Sequence, residues 1–599
     1  MNLVQGIFYA AAAMLWMAAF LAAKKSETVQ SLAAWAAGAL FGYELYACAV
    51  GGLMTILHIP ADILTIGAAD LAAAAAVYFL CIRPHGVQKY SLKPEDIAAL
   101  LFFAGAAAAV GLQRFAPGWI IAYETSDPAR HLQMALDCVR QKTAVSTYSG
   151  MIVGPFTNAL TIEMLSFLFP GTLRYRIFIL KDLYNFFMAG ALFYACLRRR
   201  LNRPLLRWLG IGMGLLYMLG YPMSNLLFGF VYLGLGVNAA AFLILAVDLY
   251  VSHETDSRLA LGLVSLGCMG SGLSYTLFAP LVFVSVFCLL TWDFVRRNKP
   301  LLQKENLVHF VQLQLYTFLL PTLYTLYFIV YFQLGRNVPL GEALTYEGYI
   351  YRNLYTDFLL FLPLAVIGLW ATIRGKKWQL CTAMAPLGLA YCLYFFREMV
   401  HDRISTYYYY KLNYLVWLIV LVLAMEGIVF LSEKALSAVV SWGLCTALVF
   451  FMAFSGHIEA YYNKNNLYMP LQDNKGMVHI YETNEIFLLH SRDYADSLKL
   501  VDLCAQLGAY ASRGDGAAPF IGDELHSGWY EALTDQRFSP EDAYGGGAET
   551  PAERFLQGDA CGDYIVVWKD SDEYEEAAPI LDRLAVVYRN DAGYIAKKY

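Results

Sequence analysis

Blocks of roughly 20 apolar residues, nearly free of charge, recur from residue 3 to residue 455. An α-helix needs about that length to cross a hydrocarbon core of about 30 Å, and in lipid only helices or closed barrels satisfy their own backbone. The blocks fall at 3–23, 31–58, 62–82, 96–116, 176–197, 205–221, 226–250, 259–274, 276–294, 308–332, 357–373, 378–396, 412–432 and 436–455. They predict an α-helical polytopic membrane protein of about 14 spans. The stretch 259–294 is too long for one helix and contains Gly270, Ser271, Gly272 and Pro280, which predicts a tight hairpin.

The net charge of −5 hides a partition: residues 1–455 carry +8 and residues 456–599 carry −13. A basic transmembrane domain (1–455) and an acidic, water-exposed domain (456–599) are two different objects. Cations near span ends are retained on the cytoplasmic side. With the amino terminus outside, the inner loops hold Lys24 and Lys25, Arg83 and Lys89, Arg198 to Arg200 with Arg203, Arg258, Arg296, Arg297 and Lys299, Arg374, Lys376 and Lys377, and Lys434. The outer turns near Pro60, Pro222 and Ser274 hold none. This places the large loop 117–175, the segments 333–356 and 397–411, and the tail domain outside the cell. Residues 1–23 lack the basic start of a signal peptide, so the reading retains them as a span.

Chemistry of soluble enzymes finds no foothold. The chain has no Gly-rich phosphate loop, no HExxH, no GxSxG and no cysteine or histidine spacing suited to zinc. Cys504 and Cys561 both lie in the tail, where a disulfide and two free thiols are equally open readings. The acidic tail argues against nucleic acid as a partner.

The loop from Gly118 to Gln133 is the most informative segment. Asp127 followed by Pro128 predicts a helix start, with Asp127 as N-cap and Pro128 at the first helical position. Arg130 and His131 then follow on the face of Asp127, so Glu124, Asp127, Arg130 and His131 can converge. The apolar run Phe156 to Phe169, too short to span, predicts a helix lying in the membrane interface. Transfer of a sugar from a lipid-phosphate donor needs a carboxylate to take the acceptor's proton and cations to stabilise the departing phosphate. Asp127 or Glu124 supplies the first. Arg130, His131, Arg403 and Lys411 are candidates for the second, with Arg336 and Arg352 behind them. Each residue also has a plainer role: Asp127 as a cap, Arg130 paired with Asp137, His131 as a structural histidine, Tyr407 to Tyr410 as an aromatic belt and Lys411 as a snorkelling cation.

The many spans, the acidic residues in the stretch Glu124 to Gln133, and an exported tail ending in Asp563 to Trp568, Leu584 to Asn590 and Tyr594 to Tyr599 together resemble the GT-C superfamily of membrane glycosyltransferases, in its bacterial branches. The likeness is architectural over most of the chain and motif-like over about thirty residues. It implies a polyprenyl-phosphate-linked sugar donor, transfer to a cell-envelope glycan, lipid or protein on the outer membrane face, and a loop acid as base. The acidic loop follows the fourth span rather than the first, and its two acids are separated by Thr125 and Ser126. Which acid is the base, and whether a divalent cation takes part, therefore stays open.

Glu44, Asp70, Asp182 and Glu426 fall inside spans, where a charge needs a partner; a polar pathway and hydrogen-bonded helix packing both account for them. The tail predicts a small α/β domain with strands at Val478 to Tyr481, Tyr564 to Trp568 and Ala585 to Tyr588, helices at Tyr494 to Ala509 and Glu573 to Leu584, and a loop-rich middle from Arg513 to Ala560. Its Trp529, Tyr530 and Tyr544 suit either an acceptor glycan or a packed core. Two other functions compete with the transferase: a lipid-linked oligosaccharide flippase or transporter, and a non-enzymatic cell-envelope scaffold. The first needs repeated halves, which the sequence lacks; the second predicts no convergence of acid and cation.

Overall fold

The computed structural model describes residues 3–23, 30–116, 118–252, 257–298, 303–331, 342–348, 350–375, 378–433, 480–489, 497–510, 518–535, 552, 555–556, 563–581 and 583–598. The expected span at 436–455, Arg336, Tyr544 and Cys561 lie outside these residues. So does the expected domain boundary at 455/456.

The helices of the membrane part are α1 (Leu3–Ala22), α2 (Leu32–Ile56), α3 (Ile63–Val77, continued as a π-helix to Ile82), α4 (Pro94–Phe115), α5 (Asp127–Gln141), α6 (Val153–Leu165), α7 (Tyr175–Arg198), α8 (Pro204–Leu219), α9 (Tyr221–Phe228), α10 (Val231–Ser252), α11 (Ser257–Ser274), α12 (Ala279–Arg297), α13 (Lys304–Tyr324), α14 (Leu362–Arg374), α15 (Leu380–Val400) and α16 (Thr406–Glu433). Among the described residues, 11 helical segments are long and apolar enough to cross a membrane, and two shorter apolar helices, Arg258–Ser274 and Leu362–Arg374, accompany them. The chain is a multi-pass membrane protein, and the helical architecture expected from the apolar blocks is the one observed. A two-stranded bridge, β1 (Gln30–Ser31) with β2 (Tyr90–Ser91), joins the connections before α2 and α4.

Two local expectations are corrected. The helix expected to lie in the membrane interface, within the loop 117–175, is enclosed by protein. Val153, Phe156, Ile162 and Glu163 are all buried, with Glu163 accepting a hydrogen bond from the Ile63 amide at 3.0 Å. The turn foreseen near Pro222 lies instead at Gly229. The chain breaks at Gly220 and re-enters a helix with Pro222 in its first turn, where no N–H is needed. The 259–294 hairpin forms where the spans 259–274 and 276–294 place it, with its bend at Tyr275 to Phe278.

Several ionisable groups within the bundle are paired, while Asp182 keeps one carboxylate oxygen without a hydrogen-bond partner among the described residues. Glu44 meets Lys181 at 2.6 Å, and Asp70 accepts from the Tyr43 hydroxyl at 2.8 Å. At the end of the bundle where α7 finishes, Arg198 pairs with Asp96, Arg199 and Arg200 with Asp248, and Arg200 also with Glu426. Two glycines allow the closest helix approach: a Cβ on Gly368 of α14 would fall 1.9 Å from the Leu423 carbonyl oxygen, and one on Gly427 of α16 would fall 2.2 Å from that of Leu364. Backbone therefore lies against backbone along this pair.

The tail contributes α17 (Ile480–Leu489), α18 (Ser497–Tyr510), β3 (Phe520–Ile521), α19 (Glu524–Thr534), β4 (Tyr564–Trp568), α20 (Asp572–Leu581), β5 (Ala585–Arg589) and β6 (Gly593–Lys597). The sheet order is β3-β4-β6-β5, with β3 parallel to β4 and the other pairs antiparallel. Successive side chains of β4 point to opposite faces. Ile565 and Val567 pack with Leu581, Tyr594 and Ala596, while Val566 and Trp568 join the main core. The strand expected up to Tyr481 is the start of a helix, because Ile480, Thr483, Asn484 and Phe487 share one buried face at helical spacing. The expected loop-rich middle contains α19, with Trp529 and Tyr530 buried in it. Cys504 is a buried free thiol.

Candidate functional site

The site grows from the entry to α5. The chain before it is pinned to the end of α9: the Glu124 amide donates to the Leu227 carbonyl at 3.0 Å, and the Thr125 hydroxyl to that of Phe228 at 2.6 Å. Gly229 closes α9 with φ +73°, and a Cβ there would sit 1.9 Å from Pro128 Cγ. Only glycine combines that left-handed backbone with contact against the proline ring. Asp127 was expected as the N-cap; Ser126 holds that position and Asp127 is the first helical residue. Its carboxylate is thereby directed away from its own helix and accepts from the Tyr407 hydroxyl across the site, at 3.4 Å.

Tyr407 and Lys411 are one turn apart on α16, so they share a face. The Lys411 ammonium is buried, 3.7 Å from the centre of the Tyr407 ring, 4.7 Å from that of Phe230, 5.4 Å from that of Tyr408 and 5.6 Å from that of Tyr275. It makes no ion pair among the described residues, and the faces of these rings surround it. Asp127 at its hydroxyl and Lys411 over its ring thus meet at one tyrosine. His131, one turn after Asp127, lies behind them, its ring centre 4.1 Å from that of Tyr232. Burial pushes the His131 imidazole down to about 4; the charge of Asp127 opposes this shift and that of Lys411 adds to it. It is neutral at pH 7, and its Nδ1 has no hydrogen-bond partner among the described residues.

The remaining candidates are held elsewhere. Glu124 is ion-paired with Arg114, which is itself buried in the last turn of α4 and also donates to the carbonyls of Ala122 and Phe487. Arg130 turns outward to Glu531 of α19 at 2.5 Å, with Gln133 bonded to the same carboxylate at 2.7 Å. Asp137, the partner foreseen for Arg130, pairs with Arg140 at 3.0 Å. Arg403 sits at the corner between α15 and α16, 67% exposed and 3.2 Å from Glu398; it bonds to neither Asp127 nor Lys411. Arg352 and Glu347 instead secure the start of α16. Glu347 accepts from the Thr406 amide at 2.8 Å, and Arg352 donates to the Thr406 hydroxyl at 2.9 Å.

Sequence reasoning missed Phe230, Tyr232 and Tyr275, which come from segments distant in sequence and carry no pattern marking them as a cage. Tyr407 had one usable signal, its four-residue spacing to Lys411. Among the described residues no group of three or more His, Cys, Asp and Glu side chains could hold a metal ion.

No protein-family model matches the chain, and no curated protein matches it. Among solved structures it is similar to ArnT from Cupriavidus metallidurans, whose crystal structure was determined bound to undecaprenyl phosphate. The two are 13% identical and superpose with a TM-score of 0.47, over 84% of this chain and 98% of ArnT.

Proposed function

We propose that the chain is a membrane glycosyltransferase that moves a sugar, a hexose or pentose, from a polyprenyl-phosphate-linked donor to a cell-envelope acceptor on the outer membrane face. The observation that carries this reading is the placement of the Asp127 carboxylate at the Tyr407 hydroxyl and of the Lys411 ammonium over the same ring. Asp127 takes the proton from the acceptor hydroxyl as its oxygen bonds to the anomeric carbon. The bond from that carbon to the phosphate oxygen breaks on the opposite side, and the electron pair leaves with polyprenyl phosphate. Lys411 stabilises the charge that develops there, in a site whose low dielectric strengthens the interaction. Tyr407 fixes the separation of base and cation, and neutral His131 adds no competing positive charge beside Asp127. Glu124, with its carboxylate committed to Arg114, is assigned a structural role, which leaves Asp127 as the base.

Purified wild-type protein, Asp127→Asn and Lys411→Met are incubated with polyprenyl-phosphate sugars, and sugar transfer is followed. Loss of about 10²- to 10⁴-fold is expected for Asp127→Asn, the usual worth of a general base. Unchanged transfer in that variant refutes the assignment. Lipid translocation without transfer by the wild type replaces the reading with the flippase.

A further inference from the structure

Four buried polar atoms without a hydrogen-bond partner among the described residues belong to side chains that line one small cavity. They are Asp182 Oδ2 and Asn185 Nδ2 on α7, the Tyr217 hydroxyl on α8 and Asn225 Oδ1 on α9. The cavity measures about 20 Å³, and apolar side chains, among them Phe186, Leu226, Phe230 and Val237, make up most of the rest of its wall. Tyr217 and Asn225 stand on either side of the helix break at Gly220.

The neighbouring polar groups are committed elsewhere. Lys181 pairs with Glu44 at 2.6 Å and donates to Asn185 Oδ1 at 3.0 Å. An ammonium cannot accept a hydrogen bond, so the Asn185 amide is fixed with its oxygen toward Lys181 and Nδ2 as the end left over. Tyr123 and Lys181 are the polar neighbours of the Asp182 carboxylate, and neither bonds Oδ2. The Asn238 amide, also in the wall, donates to the Asn185 carbonyl at 3.0 Å.

A buried carboxylate oxygen, amide or hydroxyl left unpaired is costly in a low-dielectric interior. A cavity of about 10–15 Å³ is enough to hold one water, provided two to four polar groups meet it. The chemistry of the four atoms selects water over a metal ion. Hard cations take oxygen ligands, and here Asn185 presents an N–H. Water donates two protons and accepts two, which matches acceptors at Asp182 Oδ2 and Asn225 Oδ1, a donor at Asn185 Nδ2 and a hydroxyl on Tyr217. We propose that this cavity is the binding site of a single structural water, held by Asp182, Asn185, Tyr217 and Asn225. It ties α7 to both sides of the break at Gly220. The end of α9 carries the Leu227 and Phe228 carbonyls that pin Glu124 and Thr125, and Phe230, whose ring faces Lys411, lines the cavity itself. The water is thus part of the wall behind Asp127 and Lys411. Its binding does not depend on the sugar-transfer reading and stands if that reading fails.

The test is a structure of the full chain, by crystallography or electron cryo-microscopy, at a resolution that shows ordered water elsewhere in the protein. One peak is expected in the cavity, at about 2.7–3.2 Å from the four atoms. It is expected to persist in Asp182→Asn, whose amide oxygen still accepts, and to vanish in Asp182→Leu/Asn225→Leu, which removes both acceptors. Thermal unfolding of the wild type in sodium chloride and in choline chloride at equal ionic strength is expected to give the same midpoint. An empty cavity in the wild type overturns the proposal, as does a peak that survives in the double leucine variant. The wild-type map decides alone if that variant does not fold. A peak with oxygen neighbours only, at the about 2.3–2.6 Å of a metal contact, overturns water in favour of a cation. So does a midpoint that sodium raises in the wild type and not in Asp182→Asn.

Discussion

The Arg114 and Glu124 pair offers the sharpest test of how the site is held. The side chains are 1% and 9% exposed, and the arginine also supplies donors to the carbonyls of Ala122 and Phe487. Arg114→Met leaves a buried carboxylate and two buried carbonyls without that donor. Glu124→Leu leaves a buried guanidinium without that carboxylate. Breaking one side of a buried pair costs about 3–5 kcal/mol, whereas replacing both sides with apolar groups of similar volume is often close to neutral. The double variant is therefore expected to lose far less than the sum of the two single losses, with a coupling of at least about 2 kcal/mol. Denaturant unfolding of the full chain in mixed micelles, run on all four proteins, measures it. Single variants that add to within about 0.5 kcal/mol refute the argument and return Glu124 to the pool of candidate bases.

The other predictions concern the surroundings of Asp127. Gly229→Ala forces a left-handed alanine, at about 1–2 kcal/mol, and drives its methyl into Pro128; transfer is expected to fall about 10²-fold as Asp127 shifts by about 1 Å, and wild-type activity refutes this. His131 titrates lower in the folded chain, at about 4, than in the unfolded one, so the unfolded state binds the proton first as pH falls. Its contribution is fully present above about pH 6.5 and is lost as pH drops toward 4, by about 3 kcal/mol in all. His131→Phe should flatten the stability profile across that window, and an unchanged slope contradicts the burial argument. Glu531→Ala releases Arg130 and Gln133 together and is expected to speed proteolysis of the tail without unfolding the membrane helices; equal digestion rates would show that the tail is held by other contacts.

The spans could be read from the sequence because their signal is local: a run of apolar residues declares its own length. Tyr564 to Trp568 and Ala585 to Tyr588 were readable as strands for the same reason. Val478 to Tyr481 misled because a short apolar run fits either period until its burial partners are known. The 153–165 helix misled because a segment too short to span can lie in the interface or be buried in protein, and only the packed fold decides. At the site, the sequence located Asp127, His131 and Lys411, since a charge in an apolar chain stands out. It could not pair them. Arg130 is on the same helix as Asp127 yet serves Glu531, about 400 residues away, and Lys411, 284 residues away from Asp127, is the cation that faces it. Long-range pairing of this kind is written in the packing of helices, for which one sequence carries no periodic mark.

The glycine contact between α14 and α16 fixes the helix that carries one side of the site. With main chain against main chain at Gly368 and Gly427, α16 has no side-chain cushion on which to roll or slide. Lys411 is therefore mounted on a fixed post. Asp127 belongs to a helix that the tail holds through the bonds of Arg130 and Gln133 to Glu531, so the acid and the cation are anchored by different parts of the chain.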